Sequence, residues 1–155
     1  MLIKLSKIED LAAFLLSVGL IVMVLMTILQ RVVPSWSFMG ALELVTFFGV
    51  WLYMVGALIA SRRNGHLVVD FLELNISNGR VKVLHAMAIA TITLLISSFF
   101  IYISYRMLAW GFKMPQRTPA LSIPLWIPQL SILIAAVGAL LYSLRDLYKN
   151  FKKLQ

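Results

Sequence analysis

The chain has 155 residues, 61% of them hydrophobic, with a mean hydropathy of +0.93 and a formal net charge of +8. That balance excludes a soluble domain, which at this size has no core able to bury several long apolar runs. The lack of cysteine excludes disulfides, thiolate metal sites and cysteine nucleophiles.

Four apolar runs follow one another: Leu11–Leu29, Leu44–Ala60, Ala86–Tyr105 and Leu125–Leu144. Each has 17 to 20 residues without Asp, Glu, Lys, Arg or His, and at about 1.5 Å per residue such a run crosses the hydrocarbon layer of a bilayer, roughly 30 Å thick. With their flanks they predict transmembrane helices over 11–31, 42–61, 84–106 and 124–146, in one membrane domain spanning 1–155. A protein that conducts ions or protons through itself places ionisable groups near the midplane. These runs have none, which points to a scaffold or partner subunit.

The first run is longer than the apolar core of a signal peptide, and no small-x-small cleavage site follows it before Gln30-Arg31, so it reads as a retained helix. Ser6 and Glu9 have capping-box spacing and predict a start near Lys7. Residues 33–40 form a short turn, and Glu43 then opens the second helix. Trp51 lies near the middle of that helix. Gly49 and Gly56 read as positions of close helix approach, within the bundle or against a partner.

The connection after Ser61 starts with Arg62-Arg63-Asn64-Gly65-His66, in which Asn-Gly is the breaker. Leu67, Phe71 and Leu74 then recur at i, i+4 and i+7, with Asp70, Glu73 and Ser77 mostly on another face. This pattern predicts an amphipathic interfacial helix over 67–77. Asp70 is positioned to pair with Arg62 or Arg63. Arg62, Arg63, Arg80 and Lys82 are candidates for anionic lipid headgroups. His66 and His85, the only histidines, are badly placed to ligate a haem or a metal together. No cofactor is expected.

The third helix runs from about His85 to Phe112, and the loop after it carries Pro115, Pro119 and Pro124. Pro124 suits the first turn of the fourth helix, and Pro128 allows a mild kink. Trp36, Trp110 and Trp126, with Tyr102 and Tyr105, make an aromatic belt at one interface. On that side Glu43 is placed to pair with Arg31 or Arg106, to meet a partner subunit, or to reach water.

Lys4, Lys7, Arg62, Arg63, Arg80, Lys82, Arg145, Lys149, Lys152 and Lys153 lie on one side of the predicted spans. Only Arg31, Arg106, Lys113 and Arg117 lie on the other. The positive-inside rule therefore predicts both termini and the connection after Arg62 in the cytoplasm. No nucleophile triad, paired carboxylates or phosphate-binding glycine loop is present, so no enzyme is expected. The fold class is all-α integral membrane, with four transmembrane helices and an interfacial helix between the second and third.

Glu43 at the start of the second span, Trp51 and Gly56 within it, the run Arg62-Arg-Asn-Gly-His-Leu-Val-Val-Asp70 and the stretch Thr118-Pro-Ala-Leu-Ser-Ile-Pro-Leu-Trp126 occur in that order. Together they resemble the small membrane subunit (Q subunit) of TRAP, or tripartite ATP-independent periplasmic, transporters. The resemblance covers nearly the whole chain. It implies a scaffold subunit of a sodium-coupled importer of organic acids, of C4-dicarboxylate or sialic acid type, in a bacterial inner membrane. It further implies two partners, a large multi-spanning transport subunit on a separate polypeptide and a periplasmic substrate-binding protein. Glu43, Trp51, Gly56, Arg62, His66, Asp70 and Trp126 become expected structural or partner-facing positions, with no substrate ligand among them. The alternative is a self-contained four-helix exporter or channel acting as a homo-oligomer; a small multidrug pump of that kind carries a carboxylate in its first span, where this chain has none.

Overall fold

The computed structural model describes residues 2–33, 38–63 and 79–154, which form helices α1 (Leu2–Val32), α2 (Ala41–Arg62), α3 (Gly79–Lys113) and α4 (Trp126–Leu154). Each contains a segment long and apolar enough to cross a membrane. No strand occurs among the described residues; one isolated bridge joins Arg117 to Pro124. The helix expected at 67–77 lies outside the described residues, as do Trp36, His66 and Asp70.

Helix ends differ from the sequence reading in three places. α1 begins at Leu2, so Ser6 and Glu9 sit inside the helix. Glu9 makes no capping box there, because its carboxylate turns to Arg62 and Tyr142 on other helices. α3 begins at Gly79 and carries Arg80 and Lys82 in its first turns. Its 35 residues extend about 52 Å, more than a bilayer core requires. α4 begins at Trp126, two residues after Pro124. Pro128 is then its third residue, where a backbone N–H has no intrahelical acceptor and none is lost.

Among the described residues the extensive packing pairs are α1 on α2, α2 on α4 and α4 on α3. The spatial order is therefore α1–α2–α4–α3, an open row with α1 and α3 at its edges. In lipid, close packing of helices depends on small side chains that let backbones approach. Ala90, Ser97, Ser104 and Gly111 supply them on α3 at seven-residue intervals, and the first three are buried. This is the period of a left-handed helix pair. On α4, Ser131, Ala135, Ala136 and Ser143 are also buried, Ser131 and Ala135 of them against α2.

Two glycines where helices cross are required by their neighbours. A Cβ on Gly19 would lie 2.8 Å from the Phe48 ring at the α1–α2 contact, and one on Gly138 would overlap the Leu58 side chain at the α2–α4 contact. Gly49 and Gly56 differ: nothing lies within 4 Å of a Cβ built on either. Among the described residues, neither is therefore a point of close helix approach. Gly138→Leu is accordingly expected to destabilise the chain by about 1–3 kcal/mol through overpacking. Gly56→Leu is expected to leave the melting temperature of the isolated, detergent-solubilised chain unchanged within error. A thermal melt of both variants checks the contrast.

Candidate functional site

The apolar spans offer no polar anchor along their length, and the side chains that fix the helices to one another gather at the two ends of the row. One end carries the start of α1 and the ends of α2 and α4. There Arg62 Nη2 donates to Asp10 Oδ1 at 2.6 Å, and Arg62 Nη1 lies 2.9 Å from Glu9 Oε2. The Tyr142 hydroxyl donates to Glu9 Oε1 at 2.5 Å, the short length of a charge-assisted bond. Glu9 is only 7% exposed, so its charge is tolerable only with such partners. Arg145 Nη2 donates to the Arg62 carbonyl at 3.2 Å, capping a carbonyl left free by the end of α2. The Arg145 guanidinium also lies 5.0 Å from the Tyr142 ring centroid and is held by Asp146 through two hydrogen bonds. Helices α1, α2 and α4 are thus joined in one network.

The opposite end holds Glu43 in the first turn of α2. Its Oε1 accepts from the Ala120 N–H at 2.7 Å and its Oε2 from the Leu121 N–H at 2.9 Å, and the Thr118 hydroxyl adds a side-chain hydrogen bond. The loop closes on itself beneath this carboxylate: Thr118 N–H donates to the Ile123 carbonyl, Ile123 N–H to Thr118 Oγ1, and Ser122 N–H to the Thr118 carbonyl. Ser122 takes a left-handed backbone conformation, φ 55°, to make the turn. Gly40 is needed here, since its Cβ would meet the Leu121 side chain. Phe112 and Trp126, ring centroids 5.6 Å apart, seal the α3–α4 side.

Several expectations change at this point. The sequence left Glu43 to pair with Arg31 or Arg106, to meet a partner subunit or to reach water; its carboxylate instead meets the loop, where two adjacent backbone donors and a hydroxyl converge on it. Arg62, expected near lipid headgroups or Asp70, has its guanidinium directed at Glu9 and Asp10. Arg63 stays exposed at the end of α2. Trp51 packs within the chain, 6.4 Å from Phe47 between ring centroids. It lines an apolar cavity of about 20 Å³ with Met54, Val55, Leu58, Ser131, Ile134 and Ala135. Sequence reasoning missed Glu9, Asp10, Tyr142 and Arg145. The only available signal was two acids directly before an apolar span and a Tyr-Arg pair at the end of another.

This arrangement defines a class: a four-span membrane subunit whose polar groups serve its own architecture. The family model for tripartite ATP-independent periplasmic transporters, DctQ component, matches residues 20–153. The chain belongs to that family, the small component of TRAP transporters, and is a transport subunit. A search of curated proteins finds no match. The matched range includes Glu43 with the loop it clamps, Arg62 and Tyr142, and begins after Glu9 and Asp10.

Tyr142→Phe, which strands one oxygen of a buried carboxylate, is expected to cost about 1.5–3 kcal/mol in a thermal melt. Asp10→Asn, at a side chain 50% exposed, is expected to cost less than about 1 kcal/mol. Glu43→Gln keeps the size but puts a donor where an acceptor is needed. Hydrogen exchange should then speed up at the Ala120 and Leu121 amides and stay unchanged in the spans.

Proposed function

We propose that this chain braces the large transport subunit of a sodium-coupled, binding-protein-dependent importer of organic acids, of the C4-dicarboxylate or sialic acid type. The observation that carries the bracing role is the use of the carboxylates. Glu9 and Asp10 hold Arg62, Glu43 holds the 118–123 loop, and Asp146 holds Arg145. Each serves the internal geometry of the subunit, as a rigid support requires, and cargo binding falls to the partners. Family membership supports those partners, a multi-spanning membrane subunit and a periplasmic binding protein. In this reading the subunit lies in the bacterial inner membrane with both termini, the Arg62 network and the amphipathic segment 67–77 on the cytoplasmic side, as the distribution of basic residues favours. The Glu43 clamp then faces the periplasm. Arg63, Arg80 and Lys82 remain the headgroup-facing cations, and Gly56, Trp126, His66 and Asp70 structural or partner-facing positions.

Purification of the tagged chain from its native membrane in mild detergent, followed by mass spectrometry, tests the reading. The expected result is near-stoichiometric recovery of a larger multi-spanning protein, with transport of an organic acid that depends on both and on sodium. Recovery of the chain alone as a stable homo-oligomer that catalyses transport by itself would replace this reading with the self-contained exporter.

A further inference from the structure

α2 and α3 flank α4 on opposite sides in the row, so the chain between them, residues 64–78, has to pass the end of α4. α2 stops beside Arg145, whose guanidinium reaches the Arg62 carbonyl. α3 starts further out. Gly111 stands against Gln129 in the α3–α4 hairpin; from there α3 runs back 32 residues, from 111 to 79, and α4 runs on 25 residues, from 129 to 154. The difference puts Gly79 about 10 Å beyond the end of α4 along the pair. The face of α4 turned to α2 is a stripe through Ser131, Ala135, Gly138 and Arg145. The helical repeat carries that stripe past the end of α2 to Lys149 and Lys152, both exposed, with Tyr148 exposed beside them. Two lysines thus stand where α2 no longer covers α4, along the route the connection takes.

We infer that Lys149 and Lys152 are the docking point for the chain's own segment 67–77, received through Asp70 and Glu73. That segment lies outside the described residues, and its tether points, its length and its charge select it. Both ends of the connection are fixed next to α4, so the segment is held beside these lysines whatever else is present. Helices in contact lie about 8–10 Å apart, which sets α2 and α3 roughly 16–20 Å apart across α4. The helix expected over 67–77 is about 16 Å long, with a short link on either side, and matches that span. The chain has six carboxylates. Glu9 and Asp10 hold Arg62, Glu43 holds the 118–123 loop and Asp146 holds Arg145. Asp70 and Glu73 are the two that remain, three positions apart as Lys149 and Lys152 are. In the expected helix they share a face apart from Leu67, Phe71 and Leu74, so the acids can meet α4 while the apolar side chains turn to the bilayer surface. Arg62 is already held by two acids, and the docking gives Asp70 a different cation. It also extends the network around Arg62 to the start of α3.

The test uses the full chain, purified in mild detergent and reconstituted into phospholipid nanodiscs. The chain has no cysteine, so Leu74→Cys with Tyr148→Cys makes one reporter pair. Leu74→Cys with Lys7→Cys, exposed on α1 at the same end of the row, makes the control. Disulfide formation is expected to be faster in the first pair by about threefold or more. In that pair, Lys149→Glu with Lys152→Glu is expected to slow the reaction about threefold or more, the scale of two exposed ion pairs. Adding Asp70→Lys with Glu73→Lys is expected to restore it. Restoration separates docking from misfolding and from lipid binding, since neither of those recovers when both signs are reversed. Equal rates in the two reporter pairs overturn the docking, as does a rate that charge reversal leaves unchanged. Slowing without restoration overturns it as well, and an anionic phospholipid lost at the same time, read by native mass spectrometry, identifies the lysines as a headgroup site.

Discussion

The charge of Arg62 holds this architecture together. Glu9 and Asp10 of α1 meet its guanidinium, Tyr142 of α4 meets the same Glu9, and Arg145 of α4 meets its carbonyl. Between lipid-embedded helices there is no hydrophobic driving force, since lipid tails solvate apolar side chains as well as a neighbouring helix does. Helices without mid-span polar groups are then positioned by small-residue seams and by whatever fastens their ends. Burial of the Glu9 charge is tolerated because the Tyr142 hydroxyl and the Arg62 guanidinium meet it, and these two groups come from two other helices. Geometry and compensation are the same fact.

The opposite end solves a different problem with the same chemistry. The 114–125 loop must turn tightly between α3 and α4, and its turn leaves the amides of Ala120 and Leu121 pointing together. A neutral acceptor would satisfy one. A carboxylate in the first turn of α2 satisfies both, and so ties α2 to a loop that α3 and α4 define. The two clamps keep the carboxylate contacts of the described residues at the helix ends, and the spans between are largely apolar. That is the form of a support that another membrane protein can rest against.

Much of this was open to reading in the sequence, unevenly. Glu43 and the Thr118–Trp126 stretch stand out individually as motifs, yet nothing in their spacing says that one binds the other. Arg62 stands out as a boundary arginine, and its true partners sit before the first span, where they read as ordinary helix-start acids. Gly49 and Gly56 look like packing positions by composition, whereas the seam that is used runs through Ala90, Ser97, Ser104 and Gly111. Small residues mark where a helix can approach, and only the arrangement of helices says whether one does.

By itself the sequence determined the four spans, because crossing a lipid layer depends on length and hydropathy, both local properties of consecutive residues. It also determined which side chains stand at the boundaries, since charge is excluded from the spans. The tertiary structure alone decided the order α1–α2–α4–α3 and the partners of each boundary charge. Arg62 meets an acid 52 positions away, Glu9 a tyrosine 133 positions away and Glu43 two amides 77 and 78 positions away. Contacts at such separations depend on the register and azimuth of whole helices, which the packing of small residues sets and no local pattern encodes.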